Sequence, residues 1–456
     1  MPIVDRRKDR TYVLGVPVAT CRVKGDRLVR KVFGITVSRR KSEYAMLVTA
    51  AEGDAYDSRP VDAEIASLVE DVKIDPALCG LSPADGVAFL STKLRDKSGG
   101  DMRWMEDAMD LLGGRHSVRL FLTDLAKSAH AGRRRLAAYR TRYGVFGVSQ
   151  HPDMFKHRVK ELAEAILRFN PKALFVFIRP SDIWGAAVLA LLKRSSKIRI
   201  VYCPHADAHL NVGVAFGDIF PLPLKRRLTL HRDRQRMVPY VVSRSALTSG
   251  VHKVAGRMPE AERAAVRREL GIPDGAVFTL SGGEASKFFN ADGSSDYFRT
   301  VKALLVRNPE VRHVVLMDVS ARVSKAIAAI FADSEEARSR LVLRPRTPDY
   351  ERIFAAADLF LDSIPQGGAY TMLDLMRLGV PYVVWINRSD DLRSFEDYQS
   401  DDYPYMFDSL DGYLSGAADL IRNPEKREAV IGANLVHYGK WYGAEPCRQF
   451  LEELIA

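Results

Sequence analysis

Residues 357–385 read ADLFLDSIPQGGAYTMLDLMRLGVPYVVW, and the rest of the chain is organised outward from them. A short apolar run, Leu359–Leu361, stops at Asp362. The segment Ser363-Ile364-Pro365-Gln366-Gly367-Gly368 is then turn-rich, and apolar residues from Ala369 to Leu378 recur at helical spacing. Gly379 stands where a helix C-cap would, Pro381 bars continuation, and Pro381–Trp385 is apolar and β-branched enough for a buried strand. The stretch predicts one β-α-β unit. Gly367 and Gly368 let the backbone approach a ligand, Tyr370 and Thr371 offer hydroxyls, and first-turn N–H groups lack helical partners. Such a constellation suits a diphosphate, although two adjacent glycines alone would also suit an ordinary tight connection.

The wider pattern resembles the donor-phosphate loop of GT-B glycosyltransferases, in particular the O-linked N-acetylglucosamine transferase family. The matching residues are Ala357-Asp358, Leu359–Leu361, Asp362, Pro365, Gly367-Gly368, Thr371, Leu373-Asp374 and Gly379-Val380-Pro381. The departure is Ala369-Tyr370, where the family has a second threonine. The resemblance implies an α/β chain of GT-B fold, two Rossmann-like doubly wound domains facing a central cleft. It also implies a nucleotide-diphosphate sugar as donor, held along Gln366, Gly367, Gly368, Ala369, Tyr370 and Thr371.

Composition sets the outer limits. At 456 residues, 47% hydrophobic and 27% charged, the chain is ordinary for a globular protein of two domains or three small ones. No apolar run approaches the roughly 20 residues that span a bilayer. The four cysteines, Cys21, Cys79, Cys203 and Cys447, are far apart and show no metal-ligand spacing, so they are expected reduced, in a cytosol. The net charge of +11 concentrates in two runs, Arg133-Arg134-Arg135 with Arg140 and Arg142, and Lys225-Arg226-Arg227 with Arg232, Arg234 and Arg236. Either run can be a solvated helix face, or a peripheral contact with an anionic membrane or an acidic acceptor. Nucleic acid is not expected, because no recognisable binding motif accompanies the charge.

In chain order, Thr11–Val18 and Val32–Val37 alternate as strands of a first sheet, with Tyr44–Ala50 a further candidate. From Asp62 to Leu122 the pattern reads as mostly helical, including an amphipathic Met102–Leu112, with a strand over His116–Thr123. Val145–Ser149, a helix over Phe155–Phe169, a strand at Ala173–Ile178, a helix over Ile183–Lys193 and a strand at Ile198–Cys203 follow. Strands separated by helices predict a parallel sheet.

The loop after that last strand holds His205, Asp207 and His209. Loops beyond strand carboxyl ends are where open parallel sheets bind ligands. The two histidines, four apart, share a face if the segment is helical, and they can be a zinc pair lacking a third ligand, ordinary hydrogen-bonded histidines, or catalytic groups. The His-x-x-x-His-Leu spacing resembles the acceptor-side loop of the same transferase family. Carried over, that implies His205 near the reacting centre, with His205 or Asp207 taking the acceptor's proton.

Beyond Pro239–Leu247, a β-rich run, and the charged helix Pro259–Leu270, Val277–Ser281 reads as the first strand of a second domain. The glycine-containing loop after it carries Lys287 and Asn290, and the family has a lysine and an asparagine on this loop, which implies a diphosphate contact for Lys287. Further β-α units lead back to the opening stretch. Tyr350 stands where the family has a base-contacting residue and can stack on a nucleobase; Asp374 can accept from ribose or sugar hydroxyls. The helical segment Asn423–Ala456 contains the terminal helix that GT-B folds return to the first domain.

The expected layout is an acceptor-side domain over 1–245, a nucleotide-sugar domain over 246–430 and a returning helix over 431–456. The expected chemistry is transfer of a sugar, UDP-linked by preference, to a hydroxyl on a glycan, lipid-linked or protein acceptor in bacterial surface glycan synthesis. No metal or other cofactor is required in this reading, the anomeric centre is inverted, and the enzyme is cytoplasmic or peripheral on the inner membrane face. Retaining enzymes of this fold carry two acids where this chain has Gln366 and Asp374, so a retaining mechanism lacks its first carboxylate. The fold would also suit a non-catalytic adaptor that binds an anionic surface, or a sugar-nucleotide epimerase.

Overall fold

The computed structural model describes residues 58–96, 100–204, 211–222, 255–387, 398–400 and 402–456, and the backbone of strands within 4–41 and at 241–243. The chain divides into two compact units, residues 1–248 with 447–456, and residues 249–446. Of the segment 431–456, only Cys447–Ala456 belongs with the first unit, where Glu452 Oε2 meets His116 Nε2 at 2.8 Å.

In the first unit, β1 (Val4–Arg7), β2 (Arg10–Val13), β3 (Val16–Lys24), β4 (Arg27–Val32) and β5 (Ile35–Lys41) form an antiparallel meander. These strands make a sheet of their own, apart from the parallel sheet that follows. That sheet consists of β6 (Ala84–Ser91), β7 (Ser117–Leu122), β8 (Val145–Gly147), β9 (Pro171–Phe177) and β10 (Arg199–Tyr202), in the order β10-β9-β6-β7-β8. All its pairings are parallel.

The central strand, β6, corrects the expectation of a mostly helical Asp62–Leu122. Its last six residues are all buried, since helices cover both faces of a parallel sheet, and such a strand carries no alternation to announce it. Phe89 stacks on Phe175 at 5.2 Å between ring centroids, and Trp104 meets Phe177 edge-on at 5.1 Å. The helix Ile183–Ser195 is buried along nearly its whole first three turns, with Asp182 capping it by accepting from Gly185 N–H.

After a short parallel pair, β11 (Phe220–Leu222) with β12 (Val241–Ser243), the second unit builds a six-stranded parallel sheet. Its strands are β13 (Val277–Gly282), β14 (Val311–Leu316), β15 (Leu341–Arg344), β16 (Leu359–Leu361), β17 (Tyr382–Trp385) and β18 (Met406–Phe407), ordered β15-β14-β13-β16-β17-β18. This is a doubly wound order that reverses between β13 and β16, so the loops leaving those two strands open a crevice at their carboxyl ends. In the first unit the reversal falls between β6 and β9. Among the described residues no helix is long and apolar enough to cross a membrane, and Cys79, Cys203 and Cys447 are free thiols.

Candidate functional site

The opening stretch folds as β16, a loop, a helix over Ala369–Leu378 and β17. Gly379 ends the helix in the left-handed region at φ 62°, a conformation that suits glycine. The loop is pinned by Asp362, which is 1% exposed. Its Oδ1 accepts from Ser363 N–H at 2.9 Å and Gly368 N–H at 3.2 Å, and Oδ2 accepts from Trp385 N–H at 3.4 Å. Burial pushes the Asp362 carboxyl up to about 7, while Lys287 and these amides work in the opposite direction. Tyr413 Oη donates to the Asp362 carbonyl at 2.7 Å, Ser363 Oγ donates to the Gln366 carbonyl, and Asn387 Nδ2 donates to the Pro365 carbonyl at 2.9 Å.

Opposite stands the loop after β13. Lys287 lies at the end of a 3₁₀ turn, and its Nζ donates to the Gly367 carbonyl at 3.2 Å. A side chain at Gly368 would crowd this point: a Cβ there would lie 2.9 Å from Thr371 Oγ1 and 3.5 Å from Lys287 Nζ. Gly368 is the N-cap, and no side chain caps this helix. The ammonium, the Thr371 hydroxyl and the start of the helix thus converge, 80 residues apart in sequence, at the reversal of strand order. Cations and helix N-termini both favour an anion.

A cavity of about 620 Å³ opens beside them, lined by Ser286, Phe289, Asn290, Arg322, Gln366 and Asn387 among others. Its walls come from the two crevice loops and the helix Ala321–Ile330. Of the residues singled out from sequence, Asn290 and Gln366 line this cavity, and Lys287, Gly367, Gly368 and Thr371 meet next to it. Asn290 turns its amide into its own loop, donating to Ser294 Oγ at 3.0 Å and Asp296 Oδ2 at 3.1 Å. Arg322 and Asn387 escaped sequence reading. Asp362 stood in the quoted motif, but only its burial shows it as the post that holds the loop.

Tyr350 and Asp374 lie apart from the cavity lining. The Tyr350 hydroxyl donates to Asp374 Oδ2 at 3.1 Å, and its ring meets Phe354 edge-on at 5.2 Å. Asp374 is 1% exposed and 3.7 Å from Arg377, which also pairs with Glu351 at 2.9 Å. Asp374, expected from sequence to accept from ribose or sugar hydroxyls, is buried here against the helix Tyr350–Ala355.

Beneath the crevice runs a buried polar chain. Thr279 Oγ1 and His313 Nδ1 are 2.8 Å apart, His313 Nε2 and Tyr297 Oη 2.8 Å, Tyr297 bonds Ser281, and Ser281 Oγ donates to the Leu361 carbonyl at 2.6 Å. Burial alone lowers the His313 pKa to about 3, which keeps the ring neutral.

His205, Asp207 and His209 lie outside the described residues, as does the run Lys225–Arg236. Of the other basic run, Arg135 pairs with Glu106 at 2.7 Å and Arg142 with Asp110 at 2.9 Å, while Arg133, Arg134 and Arg140 are exposed. Among the described residues no three His, Cys, Asp or Glu side chains gather as a metal site would.

No protein-family model and no curated protein sequence matches the chain. Solved structures do resemble it. HepE of Anabaena in complex with UDP matches with a TM-score of 0.63 at 11% identity, over 81% of this chain and 98% of that one. An O-GlcNAc transferase mutant of Thermobaculum terrenum matches with a TM-score of 0.54 at 14% identity, over 91% and 78%. Sucrose-phosphate synthase of Thermosynechococcus elongatus matches with a TM-score of 0.56 at 9% identity, over 81% and 98%. At such identities the likeness is one of fold, and the chain has the GT-B fold, two Rossmann-like α/β units.

Proposed function

We propose that this protein is a glycosyltransferase that moves a sugar from a nucleotide-diphosphate sugar, UDP-linked by preference, to a hydroxyl acceptor. The observation that carries the reading is the meeting of Lys287 Nζ, Gly367-Gly368 and the uncapped helix start at the reversal of the second unit's sheet. A departing diphosphate gains negative charge as its bond to the sugar breaks, and a fixed ammonium with helix amides stabilises that charge without a metal. HepE, which shares the fold, is known in complex with UDP, with UDP and glucose, and with UDP-glucose.

The chemistry is a displacement at the anomeric carbon. The acceptor oxygen attacks, the bond to the nucleotide phosphate breaks, and a base removes the hydroxyl proton. We assign that base to His205 or Asp207, in the segment that follows β10 in sequence. Inversion is favoured over retention because Gln366 replaces one acid of the retaining pair and Asp374 is 1% exposed. A surface glycan or glycoconjugate precursor on the cytoplasmic side is the acceptor we favour, and free thiols at Cys79, Cys203 and Cys447 suit that compartment.

A thermal-shift screen of UDP, GDP, CMP, ADP and dTDP, each with magnesium or EDTA, tests the donor site, since a ligand bound only by the folded state raises Tm. Stabilisation by one diphosphate in EDTA is the expected result. No shift by any at millimolar concentration refutes the reading. A putative UDP-N-acetylglucosamine 2-epimerase of Listeria monocytogenes shares the fold at a TM-score of 0.50 and 13% identity, so acceptor-independent formation of a sugar-nucleotide isomer is the second outcome to assay.

A further inference from the structure

The first unit has its own reversal of strand order, and cations collect there. In the β6–β9 register Ser91 pairs with Phe177, so the chain leaves the two neighbouring strands side by side as Thr92-Lys93 and Ile178-Arg179. The two exits are tied together: Arg179 N–H donates to Thr92 Oγ1 at 2.8 Å, and Thr92 Oγ1 donates to Asp182 Oδ2 at 2.6 Å. Asp182 also accepts from Thr123 Oγ1 at 2.6 Å and from Gly185 N–H at 3.1 Å, which turns its carboxylate inward at 5% exposure. It is therefore a post for the loops, as Asp362 is in the second unit.

Burial presses the Lys93 pKa down to about 8, and the charges of Arg179, Arg95 and Lys127 act in the same direction. Asp124 acts on Lys93 in the opposite direction and is itself paired with Lys127 at 3.0 Å. Asp96 is engaged by Arg135 N–H at 3.2 Å. Arg95 and Arg179 are exposed, and Lys93 is half-buried. Like charges gathered at the ends of neighbouring strands repel one another, and a bound anion relieves that repulsion.

We infer that the crevice between the carboxyl ends of β6 and β9 binds a phosphate or diphosphate group of the acceptor through Lys93 and Arg179, with Arg95 and Lys127 beside them. The inference rests on the reading that the first unit carries the acceptor. With Lys127 paired to Asp124 and Asp182 turned inward, Lys93, Arg95 and Arg179 match a phosphate dianion or a diphosphate better than a lone carboxylate. Arg179 can bind two phosphate oxygens through its planar fork, and Lys93 adds a point charge. The phosphate can sit on a lipid or on a sugar, since the recognition chemistry is the same.

The test is calorimetric titration of the full chain, first with UDP and then, with UDP saturating the donor site, with a short isoprenyl diphosphate in micelles, glucose 1-phosphate or glucuronate. At least one phosphate-bearing probe is expected to bind. Lys93→Ala with Arg179→Ala should weaken it at least 10-fold while UDP affinity and Tm stay as in the unaltered protein. Arg95→Ala, at an exposed position, should weaken it less. The preferred probe then reports whether the phosphate rides on a lipid or a sugar. Absence of binding by both phosphate probes, binding indifferent to the double substitution, or glucuronate binding equally well would each overturn the inference. Because UDP is titrated first, a failed donor site is seen separately from a failed acceptor site.

Discussion

Replacing Lys287 with alanine removes a side-chain cation that meets the Gly367-Gly368 turn. Its Nζ sits 3.2 Å from the Gly367 carbonyl and acts on buried Asp362. A hydrogen bond to a charged group contributes about 1.5–3 kcal/mol, which is roughly 10- to 150-fold in Kd at about 1.4 kcal/mol per decade. The pH dependence adds a second signature. The Asp362 carboxyl lies near 7 with Lys287 in place. A bound diphosphate adds negative charge beside it and raises it further, so binding takes up a proton between the free and bound values. UDP affinity should therefore weaken from pH 7 toward pH 9, a range above the phosphate's own ionisation near about 6. In Lys287→Ala the carboxyl is raised before UDP arrives, because the ammonium that favours its ionised form is gone. Affinity should be lower at pH 7, and its decline should begin at a higher pH than in the unaltered protein. Titration calorimetry at pH 7, 8 and 9, in buffers of differing ionisation enthalpy, reads both effects. An unchanged Kd at pH 7 in a variant of unchanged Tm refutes the assignment of Lys287 to the donor phosphate, and Lys287→Arg should retain most of the affinity.

Gly368→Ala places a Cβ 2.9 Å from Thr371 Oγ1 at a φ of −120° that alanine adopts freely, so UDP affinity should fall about 10-fold while Tm stays close to the original; equal affinity would show that no ligand approaches here. Asp374→Ala strips a buried partner from Tyr350 and Arg377, and a lowering of stability by about 1–3 kcal/mol with UDP affinity retained is expected by chemical denaturation; weakened UDP binding at unchanged stability would return this acid to the ligand. His313 is depressed to about 3 in the folded state. Its neutral form favours folding above the unfolded value near 6.5, and that contribution is lost as pH falls toward 3. Asp362, raised to about 7, has the opposite sign and loses its contribution as pH rises from about 3.8 to 7. Relative to His313→Gln, the unaltered protein should therefore lose roughly 2 kcal/mol between pH 6.5 and 4.5, and parallel stability curves for the two would contradict the buried neutral histidine. His205→Ala should lower turnover roughly 100- to 10,000-fold with UDP affinity retained; full turnover would remove it from the mechanism.

The strand, loop and helix over Leu359–Leu378 were legible because their signals are local. A Pro and two glycines break the chain, apolar residues recur at helical spacing, and Gly379 with Pro381 closes the helix, all within one short window. The amphipathic helix Phe155–Phe169 was readable for the same reason. The central strand Ala84–Ser91 was not, because a strand buried on both faces lacks alternation and its short apolar run sits among helical patterns. The site depended on tertiary structure still more. Lys287 and Gly367 are 80 residues apart, and only the order β13-β16 sets their loops side by side. Thr92, Asp182 and Arg179 are joined in the same way by the order β6-β9. Asp374 and Asp362 are both acids next to a glycine-rich turn in sequence, yet packing turns one onto Tyr350 and Arg377 and makes the other the anchor of the loop. Sequence alone determined which residue types could hold an anion and where helices start and stop, since spacing and capping act within a few residues. Which of those residues meet, and which carboxylates face inward, was decided by strand order and burial, because these bring distant segments together and set the cost of every charge they enclose.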